Sequence, residues 1–114
     1  SRWSEAAFFN FLADGLRQMS RRWRPIVQGA HEQCKRPSQN LERPRLKWEY
    51  QCAECKQWFA RDETHVDHIV PCGKLRSFED IGGFCKRLFV EVDGLQVLCK
   101  ECNYAKKRTN KEQG

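Results

Sequence analysis

Apolar residues recur near the start of the chain at intervals of three and four: Phe8, Leu12, Leu16, Met19 and Trp23. That period puts them in one stripe of an amphipathic helix that faces a core, with Ser4 as N-cap and Pro25 ending the pattern. A second short helix is expected from Ile26 to about Lys35; it holds His31 and Cys34, to which no role is assigned. From Arg36 to Lys47 the chain is polar and broken by Pro37 and Pro44, which predicts a connecting loop. Trp48-Glu49-Tyr50-Gln51 alternates as a short strand does. Thr64 to Pro71 is rich in β-branched residues and reads as extended. Leu95-Gln96-Val97-Leu98, after the Asp93-Gly94 turn signal, is a strand that can pair with Val66–Val70. Between the two, Ser77-Phe78-Glu79-Asp80 opens a helix with Ser77 as N-cap, continuing through Phe84, Leu88 and Phe89 across the unfavourable Gly82-Gly83. A last helix, from Asn103 to about Lys111, is basic through Lys106, Lys107, Arg108 and Lys111.

These elements amount to one small α+β domain. The chain has 114 residues, 39% of them hydrophobic and 32% charged, so its core is modest and needs reinforcement. No apolar run reaches the roughly 20 residues needed to cross a membrane. Ser1-Arg2-Trp3 does not read as a targeting peptide. Charge is uneven: residues 1–51 carry ten Lys/Arg against five Asp/Glu, residues 52–98 six against eight, and residues 99–114 five against two. An acidic centre between basic flanks suits a polyanion held at a rim, with cations filling the middle. Arg43 and Arg45 in the loop, and Lys106, Lys107 and Arg108 on the last helix, are the candidate DNA contacts. Arg17, Arg21, Arg22 and Arg24 either meet phosphates or are simply solvated.

Seven cysteines, an odd count without a secretory signal, argue against a disulfide framework and for metal-bound thiolates in a reducing, cytoplasmic setting. Cys52-Ala53-Glu54-Cys55 and Cys99-Lys100-Glu101-Cys102 are two Cys-x2-Cys knuckles, each with the spacing of half a tetrahedral zinc site. Four thiolates close the coordination sphere, so this zinc is expected to be architectural. Cys72 and Cys85 are expected to be free thiols, unless one of them replaces a knuckle ligand.

Asp67 and His68 then stand out, since a strand interior has little use for an adjacent acid and imidazole. The plain alternative is a half-exposed strand whose polar residues face water. The knuckles weigh against that alternative by bringing the residue after Cys102, Asn103, to the same place. Neighbouring strand residues face opposite ways, so Asp67 and His68 suit separate tasks. A neutral imidazole can accept a proton, and a carboxylate with an amide oxygen suits a hard divalent ion. His65 shares the Asp67 face and is a possible third ligand.

The order Cys-x2-Cys, Val-Asp-His-Ile-Val-Pro, loop, Leu-Gln-Val-Leu-Cys-x2-Cys-Asn, then lysines on a helix resembles the HNH endonuclease family from Trp48 to about Arg108. Ser77–Gly94 and the Arg/Trp-rich leader are similar to small HNH proteins encoded by bacteriophages. The resemblance implies a zinc-braced ββα-metal core over residues 48–114, carrying a basic, helical extension, residues 1–47, packed on it. It also implies His68 as general base, Asp67 and Asn103 as ligands of a catalytic Mg²⁺ or Mn²⁺, and hydrolysis of DNA phosphodiester bonds. Expected partners are DNA and, in a host cytoplasm, a phage or host protein assembly. Gly94 stands where the family has its middle asparagine, which helps orient the loop carrying the base. That departure supports the alternative function, a zinc-ribbon module that binds DNA without cutting it.

Overall fold

A computed structural model describes residues 3–113, with side chains described as far as Asn110. Ser1 and Arg2, at the start read as free of a targeting signature, and the Lys111 side chain lie outside the described residues. The described part is a mixed α+β structure with four α-helices and two small sheets.

Helix α1 spans Glu5–Arg21, and Ser4 caps it by accepting from the Ala7 N–H at 3.1 Å. Its buried residues are Phe9 and Ala13, while Phe8, Leu12 and Leu16 pack beside them and Met19 and Trp23 face solvent. The helical period predicted from the sequence is present, but its buried centre is rotated by one residue. The reason is that Phe9 inserts between α1 and the Leu75, Phe84 and Leu88 side chains, a denser contact than Phe8 or Met19 can reach. Helix α2, Arg24–Glu32, starts at the Arg-Pro step and ends before Lys35, which belongs instead to strand β1, Lys35–Pro37. This strand lies inside the segment expected to be a loop. It is an edge strand, where the missing N–H of Pro37 does no harm.

Strands β1, β2 (Trp48–Gln51) and β3 (Trp58–Phe59) form one antiparallel sheet. Within it Arg36 stacks on Trp58 at 4.0 Å and bonds the buried Glu49 carboxylate. The second sheet pairs β4, Thr64–His68, with β5, Leu95–Cys99, in the register Asp67 to Gln96 and His68 to Leu95. Pairing stops at His68, short of Val70, because the chain bends away before Pro71. Helix α3, Ile81–Leu88, follows a 3-10 turn at Phe78–Asp80; Ser77 is extended there but its side chain makes no capping bond. Helix α4, Lys100–Gln113, leaves β5 directly.

Residues 1–47 and 48–114 share structure, since β1 pairs with β2 and α2 contributes Ala30 to a core with Tyr50 and Val97. Gly29 makes this docking close: a Cβ there would stand 2.7 Å from the Val92 side chain. A third core cluster contains Cys52, Leu98 and Cys99. No helix of the described residues is long and apolar enough to cross a membrane.

Candidate functional site

The two knuckles meet. The Sγ atoms of Cys52, Cys55, Cys99 and Cys102 all lie within 4.8 Å of one another. A zinc ion about 2.3 Å from each sulfur would set them about 3.8 Å apart, so the donor set fits after a small contraction. The first knuckle turns at Lys56, whose φ of 65° is the left-handed conformation, and the Lys56 N–H closes the turn on Cys52 O. Four thiols this close could hold a zinc ion as thiolates. Cys102 is pushed up to about 12, chiefly by its side-chain hydrogen bond with Cys99. At Cys52 burial opposes ionisation, but N–H groups of Cys55, Cys99 and Glu54 bring it down to about 6. Cys72 and Cys85 lie outside this cluster. Burial pushes the Cys72 thiol up, and it donates to Arg87 O at 3.5 Å.

A cleft of about 640 Å³ opens beside β4, walled by the end of α1, by α2, and by Leu88–Val90. His65, Asp67, His68 and Asn103 all line it. His65 is exposed, whereas Asn103 is only 7% exposed. His68 Nε2 lies 2.6 Å from Leu88 O. A carbonyl can only accept, so Nε2 carries the proton in the neutral ring and Nδ1 keeps its lone pair. Nδ1 of His68 has no protein partner and is not sealed off, since the one buried unpartnered side-chain atom among the described residues is Nδ1 of His31. The same bond satisfies a carbonyl left over at the end of α3.

Asp67 is held through one oxygen: Oδ2 accepts from Lys106 Nζ at 2.6 Å and from Gln96 Nε2 at 2.9 Å. Its Oδ1 has no protein partner, and neither has the Asn103 amide. Asp67 and Asn103 both line the cleft, and a carboxylate and an amide oxygen are donor types that a hard divalent ion takes.

Position 94 has no room for a side chain. A Cβ at this position would stand 2.8 Å from the Val90 side chain, while Gly94 O accepts from Ile69 N at 3.0 Å. The His68 side chain bonds Leu88 O and the next residue's N–H bonds Gly94 O, so the end of β4 is held from two directions.

The cations fall differently from the sequence expectation. Lys106 turns inward onto Asp67 and away from any phosphate. Arg43 pairs with Asp62 at 3.5 Å, Arg108 lies over Tyr104, and neither these nor the exposed Arg45 line the cleft. Those that do are Lys107, Arg21 and Arg17, the last bonded to Gly73 O and Asp14. The spacing of Arg17 and Arg21, four apart on α1, was the available signal for them. His31, given no role from sequence, is buried in the cleft wall and donates from Nε2 to Thr64 Oγ1 at 3.1 Å, whose own proton goes to Arg61 O. Burial, and next the charge of Arg61, lower its pKa.

Comparison with protein-family models, with curated proteins and with solved structures finds no match for this chain.

Proposed function

We propose that the chain is a metal-dependent DNA endonuclease of the HNH kind, with a zinc-braced ββα core. The observation that carries this reading is the convergence of His68, Asp67 and Asn103 on one cleft, with His68 Nε2 tied to Leu88 O. Held so, His68 presents the Nδ1 lone pair and takes a proton from the water that attacks the phosphodiester. Asp67 and Asn103 would hold Mg²⁺ or Mn²⁺, which supplies charge stabilisation at the phosphate and leaving oxygen. Arg21 and Lys107, which line the cleft without intramolecular partners, bind the flanking phosphates. The four-cysteine zinc fixes β5 and the start of α4, and through them Asn103.

The non-cleaving alternative drew on the missing asparagine at position 94. The bonds from His68 to Leu88 O and from Ile69 to Gly94 O weaken that ground.

The test is incubation of supercoiled plasmid with purified protein in Mg²⁺ or Mn²⁺ against EDTA, beside His68→Ala. Nicking or linearisation should need the metal and fall about 10²- to 10⁴-fold in the variant. Equal behaviour of the two proteins in every metal sinks the assignment.

A further inference from the structure

Among the described lysines of α4, Lys106 is the half-buried one, while Lys100 and Lys107 are exposed. Its Nζ lies 2.6 Å from Asp67 Oδ2, 2.7 Å from His68 O and 3.2 Å from Ile69 O. An ammonium has three N–H donors, and these acceptors use all of them. None is left for a phosphate. The side chains of Lys106 and Asp67 are 24% and 17% exposed, so the pair is shielded in a way that surface ion pairs are not.

We propose that Lys106 is a positioning residue: one ammonium holds the metal ligand Asp67 by a single oxygen and, through His68 O, the backbone that carries the base. This rests on the nuclease reading and deepens it. The geometry has two consequences. With Oδ2 taken by Lys106 and Gln96, Asp67 offers the cleft only Oδ1 and binds a cation through one oxygen. The lysine's positive charge also opposes that cation, so the arrangement trades affinity for orientation. Asn103 and Lys106 are three apart on α4, so one helix carries both the second proposed ligand and the lysine that holds the first.

The experiment measures Mn²⁺ binding to zinc-loaded protein without DNA, by calorimetry, and plasmid cleavage at saturating Mn²⁺. The variants are Lys106→Met, which keeps the length and loses the charge, and Lys106→Arg, which keeps the charge but cannot direct three donors from one nitrogen to those three acceptors. Lys106→Met should bind Mn²⁺ about fourfold more tightly, from removal of one nearby charge. Its kcat should nevertheless fall at least about tenfold, as expected when a positioned ligand and base are loosened. Lys106→Arg should keep the wild-type metal affinity and lose turnover. A Met variant equal to wild type in both measurements overturns the proposal. So does one that binds metal more weakly as it slows, which marks a lysine that merely supports the fold, or one that cuts faster, which marks an obstruction. A wild type that binds Mn²⁺ but never cuts defeats the nuclease reading alone, and the affinity change still decides whether Lys106 restrains Asp67. A wild type that does neither defeats both.

Discussion

Gly94 is tied to its surroundings by space and not by backbone conformation. The Val90 side chain lies where a Cβ would sit, at 2.8 Å, and Gly94 O holds the Ile69 N–H just beyond the proposed base. Gly94→Asn is therefore expected to be harmful here. Overpacking of this kind costs about 1–3 kcal/mol, readable as a lowered urea midpoint. Val90→Ala in the same chain should recover most of the loss. If Gly94→Asn alone is as stable as wild type, the close approach of Val90 is not what excludes a side chain.

At the scale of elements, α2 is tied to β4 by a buried hydrogen bond from His31 to Thr64. His31 has its folded pKa lowered below 6.5, first by burial and then by Arg61. Between that lowered value and 6.5 the unfolded chain binds a proton that the folded chain does not, so stability rises with pH there. The contribution is fully present above about 6.5 and is lost as pH falls through the folded pKa. His31→Gln should flatten the dependence of Tm on pH between about 5 and 7 relative to wild type. A variant with the wild-type slope would assign the dependence to other groups. The same packing explains why α2 reaches the cleft: Gly29 lets the Val92 turn seat on α2, and that turn leads into β5.

For the whole molecule, the decisive link is the four-cysteine cluster. Cys52 and Cys99 are themselves core residues with Leu98, so the knuckles form a packed centre that could also hold a metal. Structural zinc is worth about 10–16 kcal/mol in small peptides, as large as the entire stability of a typical domain, about 5–15 kcal/mol. One zinc per chain is expected by elemental analysis, and a strong chelator should abolish the cooperative thermal transition. Cys52→Ser should act likewise. A chain that melts cooperatively and unchanged without zinc would show that packing alone holds the knuckles.

The sequence by itself determined what depends on short spacings: the α1 period, the β2, β4 and β5 strands, and the turn of each knuckle. Each rests on residues a few positions apart, where backbone geometry dictates which side chains share a face. Only the tertiary structure decided which of several equivalent side chains is used. Phe9 rather than Phe8 is the buried centre of α1, Lys106 turns in while Lys107 stays in the cleft, and Arg21 lies there while Arg43 pairs with Asp62. Leu88 O as the partner of His68 is likewise a contact between segments distant in sequence. Their cause is how helices dock on strands, where a one-residue rotation or a few ångströms selects one lysine or one carbonyl over the next, and no local pattern encodes that choice.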